Sequence, residues 1–372
     1  MKKPSIGIVV PFFNTPMWGQ TSIYSLLTSL DTSFLSKYSV EVLVVDNVES
    51  KFPQKCFVDA LKIFNNEDIK IRFIDNPEMP KFHGTALYIG VCELNTDYLL
   101  CWETDIVALK SDWLDWLLSF FEDSNLWGVG TNYGIHDGYN DFNYHIPIPD
   151  PGIYRMSILK EINKECQDNK EPVFYYGKDY KEFVKEDLQS KWGVFSERRG
   201  FKETHPNSPD GKEGKGIKYG AGGFLHGEWL AFRMLRDGRF HSTYIPQNVF
   251  MFEEDFIKYT SYGGDRIRHY WFGSSKWQFL MGEELNWVQI KTMRLRIEEE
   301  IKIWKMIVPK EYRKKVIELF NKIRNDKFQI NNIKHIYNNK LYPEKPYIQE
   351  LSLEISNWWK QEFLDTNFQN LL

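Results

Sequence analysis

The stretch YLLCWETD, residues 98–105, joins a short apolar run directly to two carboxylates. An apolar run without polar alternation is typical of a strand that is buried on both faces of a parallel sheet. A helix is predicted over residues 85–94, and a second helix after the stretch has an apolar face at Trp113, Trp116, Leu117 and Phe120. The stretch therefore predicts one unit of an α/β fold, in which a buried strand at residues 98–102 opens into an acidic loop.

The chain upstream repeats this alternation of strand and helix. Apolar runs at residues 6–10, 42–45 and 69–74 predict three further strands. A helix between the first two strands is indicated by the i, i+3, i+4, i+7 spacing of Ile23, Leu26, Leu27 and Leu30. Residues 51–64 carry a similar apolar face. This order predicts a doubly wound, mostly parallel sheet flanked by helices, in which ligands bind beyond the carboxyl ends of the strands.

The composition is that of a folded protein with a large core, since 42% of the 372 residues are hydrophobic and 26% are charged. The net charge of −4 provides no overall attraction to nucleic acid or acidic lipid. The aromatic fraction of 16% suits sugar-binding surfaces and ordinary packing equally well. No apolar stretch approaches the roughly 18 residues of a membrane span. The apolar run after Met1 is broken by Pro11, and the four cysteines form no CxxC pair. We therefore expect a cytoplasmic protein.

Two regions downstream differ from the rest in composition. Residues 204–216 are polar and rich in Gly and Pro, which predicts a long mobile loop. From about residue 285 the pattern is helical. We therefore expect an α/β domain over residues 1–284 and a helical extension over residues 285–372.

The helical extension has an apolar stripe that includes Ile297 and Trp304, and Pro309 is expected to end its helix. Residues 291–327 carry 12 Lys or Arg against 6 Asp or Glu. That stretch fits a solvated face, a helical bundle packed on the α/β domain, a dimer contact, or a peripheral contact with an acidic membrane.

The predicted strand ends collect polar side chains, among them Asp46, Asn76, Glu103 and Asp105. Glu103 and Asp105 are two residues apart, so one carboxylate can bind a divalent cation while the other reaches a metal-bound water or a ribose. Mg²⁺ or Mn²⁺ held in this way stabilises the negative charge of a diphosphate. Acidic pairs at strand ends also cap helices or face solvent, so at this point both interpretations stay open.

Four stretches resemble the family-2 glycosyltransferases, which have the GT-A fold: IGIVVPFFN at 6–14, EVLVVDN at 41–47, FHGTALYIG at 82–90 and YLLCWETDI at 98–106. The resemblance implies a nucleotide-sugar site in which Asp46, at the end of the second strand, contacts the base or ribose. Glu103 and Asp105 occupy the place of the family's DxD metal motif, with Glu103 where Asp is usual. The implied donor-binding residues are Pro11, Phe13, Asn14, Asp46, Asn76, His83, Gly84 and Glu103.

Two downstream stretches extend the likeness, which covers residues 5–275. FMFEEDFIKYTSYGG, residues 250–264, resembles the family's segment with the acid that activates the acceptor. This implies Asp255, or else Glu254, as the catalytic base, and Glu253 is also eligible. IRHYWFGSS, residues 267–275, resembles the element whose histidine, here His269, completes the metal and diphosphate site. The implied metal ligands are therefore Glu103, Asp105 and His269.

The resemblance implies a metal-dependent, inverting glycosyltransferase that uses Mn²⁺ or Mg²⁺. Its donor is a UDP-, GDP- or dTDP-linked sugar, and its acceptor is a hydroxyl of a glycan or lipid-linked glycan, as in polysaccharide biosynthesis. The alternatives are an inactive nucleotide-sugar or glycan-binding protein, a glycosyltransferase acting on modified phage nucleic acid, and a nucleotidyltransferase. The acidic net charge disfavours nucleic acid as a partner. PFFNTPMWGQ, after the first strand, lacks the basic phosphate loop of nucleotidyltransferases and the GxGxxG of dinucleotide-binding folds.

Overall fold

In the computed structural model of the chain, the described residues are 3–12, 16–46, 64–75, 83–131, 148–168, 241–251, 258–270 and 299–314. Within these residues the strands form a seven-stranded sheet, in the order β3-β2-β1-β4-β7-β6-β8, and a four-stranded sheet, in the order β5-β11-β10-β9. The helices that precede or follow the strands are α1 (Pro16–Ser29), α2 (Thr32–Lys37), α3 (His83–Glu93), α4 (Trp113–Ser119) and α5 (Met156–Asp168).

The first half of the large sheet is parallel, as predicted. It consists of β1 (Ser5–Phe12), β2 (Ser39–Asp46), β3 (Ile69–Asp75) and β4 (Tyr98–Cys101). Parallel pairing joins β1 to β2 and β4, and β2 to β3. The apolar runs of β1 and β4 are buried because helices cover both faces of a parallel sheet. The prediction of a mostly parallel sheet flanked by helices is confirmed.

The predicted amphipathic face of α1 packs into the core, where Ile23, Leu26, Leu27 and Leu30 are all buried. Helix α3 lies close to β1, because a Cβ added at Gly90 would be 2.8 Å from the Cβ of Val9. Glycine at this position therefore lets the helix approach the strand. The helix predicted over residues 51–64 lies outside the described residues except for Phe64, and so does the loop predicted over residues 204–216.

The second half of the large sheet contains strands that were not predicted. They are β6 (Leu126–Thr131), β7 (Ile148–Arg155) and β8 (His241–Tyr244). Strand β7 runs antiparallel between β4 and β6. Its register against β6 jumps from Gly130↔Gly152 to Thr131↔Ile148, so Pro149 and Pro151 lie within an irregularity rather than a regular ladder. Proline is tolerated at such irregularities, whereas prolines in a sequence argue against a regular strand, so this strand was not predicted.

The four-stranded sheet is antiparallel and draws on distant parts of the chain. Its strands are β5 (Ile106–Ala108), β9 (Gln247–Met251), β10 (Lys258–Tyr262) and β11 (Ile267–His269). A tight turn between β10 and β11 holds Gly263, Gly264 and Asp265 at φ of 57°, 67° and 64°. Such backbone angles favour glycine, which two of the three positions supply. Strand β5 follows β4 after a few residues, so the two sheets meet at the carboxyl end of β4.

The described part of the C-terminal region packs onto α1. Residues 299–307 and 310–314 are helical, and the first of these helices ends before Pro309, as predicted. The indole of Trp304 is fully buried and donates to Oε1 of Gln20 at 2.8 Å. The Gln20 side chain in turn donates to the carbonyl of Tyr312 at 2.6 Å. Residues 299–314 of the basic region therefore pack on the α/β domain, which is one of the arrangements expected from the sequence.

The remaining expectations for the C-terminal region stay predictions. The boundary between residues 284 and 285 and the residues after 314 lie outside the described residues. Among the helices that the structure describes, none is long and apolar enough to cross a membrane.

Candidate metal centre

The two carboxylates of the 98–105 stretch lie on a turn between the two sheets. The backbone N–H of Trp102 donates to the carbonyl of Val9 at 3.0 Å, which extends the pairing of β4 with β1 by one residue. The Trp102 ring is fully buried and packs against Trp113, with 4.7 Å between ring centroids. The N–H of Ile106 then donates to the carbonyl of Glu103 at 3.2 Å and closes the turn. We call residues 102–105 the acidic turn.

Strand pairing brings His269 to the acidic turn from far along the chain. In the ladder between β5 and β11, His269 is opposite Ile106, the residue that follows the turn. The N–H of Tyr270 donates to the carbonyl of Asp105 at 2.8 Å, which fixes this register at its end. Nε2 of His269 lies 2.9 Å from Oε2 of Glu103 and 3.1 Å from Oδ1 of Asp105. The ligand atoms of the three side chains are all within 4.8 Å of one another.

The three side chains, which we call the metal centre, differ in their access to solvent. His269 is 1% exposed and Asp105 is 9% exposed, whereas Glu103 is 22% exposed. Asp105 and His269 are therefore the buried residues of the metal centre, and Glu103 is the residue in contact with solvent. Burial alone lowers the pKa of an imidazole, but the charges and hydrogen bonds of Asp105 and Glu103 outweigh it and raise the pKa of His269 to about 10. At neutral pH an imidazolium therefore provides the positive charge between the two carboxylates.

The donor set of the metal centre fits a divalent cation. Two carboxylate oxygens and one imidazole nitrogen suit Mn²⁺, which accepts both donor types, and the carboxylates suit Mg²⁺. An ion held by these three side chains would have positions left for further oxygen ligands. A metal ion at this place requires that His269 lose the proton on Nε2, because only the neutral nitrogen is a ligand. Metal and proton thus compete for the same position.

The other predicted site residues are placed only in part. Pro11 is buried in β1, opposite Val45. Asp46 ends β2, half-buried, and is paired in register with Phe12 and Asp75. His83 and Gly84 begin α3, but their side chains lie outside the described residues, as do Phe13, Asn14, Asn76, Glu253, Glu254 and Asp255. The functional roles of all these residues, and of the metal centre, stay predictions.

Two features next to the metal centre were not predicted. The ring of Trp18 stacks on Tyr270, with 5.0 Å between centroids, and the backbone N–H of Trp18 donates to Oε1 of Glu300 at 2.8 Å. Glu300 is fully buried. A sequence signal for it exists, because Glu300 is an acid on the same helical face as Ile297 and Trp304, both members of the predicted apolar stripe. A carboxylate on an apolar face needs a buried partner.

Comparisons with known proteins give similar structures but no sequence family. No model of a known protein family matches the chain, and no curated protein sequence matches it. A mannosyltransferase from Pyrobaculum calidifontis, solved with GDP-Man and Mn²⁺, is similar over 97% of this chain and 89% of its own, with 11% identity and a TM-score of 0.42. Glucosyl-3-phosphoglycerate synthase from Mycobacterium tuberculosis, solved with Mn²⁺, UDP and phosphoglyceric acid, is similar over 42% of this chain, with 14% identity and a TM-score of 0.30.

The match to the synthase spans 57% of that enzyme's chain. With identities of 11% and 14% and TM-scores below 0.5, these two structures do not assign a function to this chain.

Proposed function

We propose that the chain is a metal-dependent glycosyltransferase. It moves a sugar from a nucleoside diphosphate donor to a hydroxyl group of a glycan or glycoconjugate acceptor. The observation that carries this proposal is the convergence of Glu103, Asp105 and His269 at the carboxyl end of β4, a central strand of a mostly parallel sheet. Ligands of such sheets bind at this edge, beyond the ends of the strands.

The three residues hold Mn²⁺ or Mg²⁺ in this proposal. The bound ion supplies positive charge that stabilises the diphosphate as it leaves the sugar. Asp105 and His269 bind the ion from the buried side in this proposal, and Glu103 lies at the solvent side, where a donor arrives. To hold such an ion, His269 would have to be neutral, with no proton on Nε2.

The hydrogen bond between Trp18 and Glu300 favours binding of the diphosphate by a metal ion over binding at the amino end of a helix. In many nucleotide-binding α/β folds, the amino end of the helix after the first strand presents its N–H groups to the diphosphate. Here the buried carboxylate of Glu300 accepts from the N–H of Trp18 in the first turn of α1. A phosphate group at that N–H would meet the negative charge of Glu300. Binding of the diphosphate therefore falls to the metal centre.

In this proposal the nucleoside binds at the carboxyl ends of the neighbouring strands. Asp46 ends β2 beside Phe12 of β1. A carboxylate at this place accepts hydrogen bonds from ribose hydroxyls or from a base, which is the role we propose for Asp46. Pro11, Phe13, Asn14, Asn76, His83 and Gly84 complete the proposed donor site on the basis of the sequence resemblance.

The position of β10 supports Asp255, or else Glu254, as the base that removes the acceptor's proton. Thr260 of β10 is paired with His269, and Lys258 begins the same strand two residues earlier. Two residues of a strand span about 7 Å. The segment 252–257 thus joins a strand close to the metal centre. The sequence resemblance implies a single displacement with inversion, in which general-base catalysis contributes about 10²–10⁴-fold to a rate.

The proposal is tested with the full chain, Mn²⁺ and a panel of UDP-, GDP- and dTDP-linked sugars. We expect one donor class to raise the melting temperature in a metal-dependent manner and to be hydrolysed slowly without an acceptor. Asp105→Ala should abolish the hydrolysis. The control is Asp115→Asn, because Asp115 is a half-buried acid that forms an ion pair with Lys37 at 3.1 Å on another part of the fold.

The outcomes separate the alternatives. Metal-dependent hydrolysis that Asp105→Ala removes and Asp115→Asn retains supports a transferase. Stabilisation by nucleotide sugars without any turnover favours the inactive binding protein. Hydrolysis that is unchanged in Asp105→Ala, or independent of metal, overturns the proposal. The proposal also includes a lipid-linked acceptor, a role in polysaccharide biosynthesis, and a peripheral membrane contact through basic C-terminal residues. These parts can be tested with an active preparation.

A further inference from the structure

One face of α1 presents three serine hydroxyls to the segment that contains the acidic turn. Ser22, Ser25 and Ser29 follow one another at spacing i, i+3, i+7, so they lie on one side of the helix. The Nε1–H of Trp102 donates to Ser22 at 2.7 Å, and the Nε1–H of Trp113 donates to Ser29 at 2.7 Å. The backbone N–H of residue 108 donates to Ser25 at 3.1 Å. The three hydroxyls hold residues 102–113 against α1.

The chemistry of the groups fixes the direction of each hydrogen bond. An indole N–H only donates, so the serine oxygen accepts and its own proton remains available for a second bond. Ser25 donates that proton to the carbonyl of Ser22 at 2.8 Å, and Ser29 donates to the carbonyl of Leu26 at 2.7 Å. Both of these bonds stay within α1. Ser22 instead donates to the carbonyl of Glu103 at 3.0 Å.

We propose that Ser22 is a positioning residue of the metal centre. The carbonyl of Glu103 accepts both from Ser22 and from the N–H of Ile106. These two bonds fix the peptide plane from which the Glu103 side chain projects, and one of them ties it to a fully buried side chain of α1. Without the Ser22 hydroxyl, the carbonyl of Glu103 loses its hydrogen bond to α1 and keeps the one from Ile106. The Glu103 carboxylate then samples a wider range of positions. The inference rests on the proposed function, since it takes the metal centre to bind a divalent ion.

The test compares Ser22→Ala with Ser29→Ala. The two variants are matched, because each removes a hydroxyl of α1 that accepts from a buried indole at 2.7 Å. Only Ser22 also reaches the acidic turn. Mn²⁺ affinity is measured by titration calorimetry on the full chain, and the melting temperature is measured without metal. We expect similar losses of melting temperature in both variants, but weaker Mn²⁺ binding, by about 10- to 100-fold, only in Ser22→Ala.

Two more variants keep the test decisive. Ser22→Thr retains the hydroxyl and should restore wild-type Mn²⁺ affinity. Ser22→Cys is close to serine in size but has a weak donor, so it should weaken Mn²⁺ binding even if Ser22→Ala does not fold. If Ser22→Ala or Ser22→Cys binds Mn²⁺ as tightly as the wild type and Ser29→Ala do, the positioning role of Ser22 is overturned. The proposed function is not affected by that result. A wild-type chain that binds no Mn²⁺ overturns the proposed function and this inference together.

Discussion

The parallel half of the large sheet and the four-stranded sheet build the metal centre in different ways. Glu103 and Asp105 follow β4, which is buried in the parallel half, and they are two residues apart in the chain. His269 ends a strand of three residues in the four-stranded sheet. The parallel half thus provides a fixed edge with two acids, whereas the other sheet provides the nitrogen ligand through one strand register.

This contrast indicates where the site is sensitive. The acids depend on packing that surrounds a central strand, including the buried Trp102. The histidine depends on the pairing of Ile106 with His269 and on the hydrogen bond from Tyr270 to Asp105. A shift of one residue in that ladder would turn the imidazole to the opposite face of the sheet. The four-stranded sheet is therefore the part in which small changes should alter metal binding most.

Removal of the ligand from the four-stranded sheet should cause a large loss of activity. His269→Ala should reduce metal-dependent donor hydrolysis by about 10²-fold or more, because the charge that stabilises the leaving group is no longer held in place. The control is Arg268→Ala, since this neighbour points away from His269 along the strand and pairs with Asp265 at 2.7 Å. Steady-state hydrolysis with saturating Mn²⁺ checks both variants. Equal rates in the two variants would remove His269 from the site.

A pH dependence follows from the raised pKa of His269. The pKa in the folded state is about 10, above the ordinary value of 6.5, so the protonated form stabilises the metal-free fold. This contribution is complete below about pH 6.5 and is lost as the pH rises through about 10. We therefore expect the melting temperature of the metal-free chain to fall over this range, and Mn²⁺ affinity to rise over the same range as the competing proton leaves.

The measurement is thermal unfolding from pH 6.5 to 10, with and without Mn²⁺, on wild type and His269→Gln. Glutamine cannot take up the proton, so the difference between the two proteins isolates the imidazole from other groups that titrate. A melting temperature of the wild type that falls no more steeply than that of His269→Gln would contradict the coupling between the imidazole and the two acids.

The two sheets also differ in how far they could be predicted. The apolar runs that predicted β1 to β4 are local, and each is long enough and uniform enough to indicate a buried strand. Strands β5 and β11 have three residues each, too few for any periodicity to be read. Strand β7 was missed because Pro149 and Pro151 argue against a regular strand, and only the irregular register of the folded sheet accommodates them.

The candidate site shows the same division. Its residue types were predicted, since the motifs around Glu103, Asp105 and His269 are visible in the sequence. The contacts that hold them were not. The bond from Ser22 to the carbonyl of Glu103 and the bond from Trp18 to Glu300 join residues far apart in the chain. A serine on a helix gives no local signal, and an acid on an apolar face indicates that a buried partner exists without indicating which residue it is.

The mildest change should follow from weakening the support that residues 299–314 give to α1. Glu300→Ala leaves the N–H of Trp18 without its acceptor in a fully buried place, which costs about 1–3 kcal/mol of unfolding free energy. Glu300→Gln keeps an acceptor oxygen and should cost less. Urea denaturation checks both variants without metal.

The neighbouring Glu299 provides the control, because it is half-buried and forms a 3.6 Å ion pair with Lys302 one turn along the same helix. Glu299→Ala should change the unfolding free energy by no more than about 0.5 kcal/mol. The Mn²⁺ affinity of Glu300→Ala should change less than that of Ser22→Ala, since Trp18 and its stacking on Tyr270 stand between Glu300 and the metal centre. An equal loss of stability in the Glu299 and Glu300 variants would show that the buried carboxylate does not tie the C-terminal helix to α1. A loss of Mn²⁺ affinity as large as that of Ser22→Ala would make residues 299–314 part of the site itself.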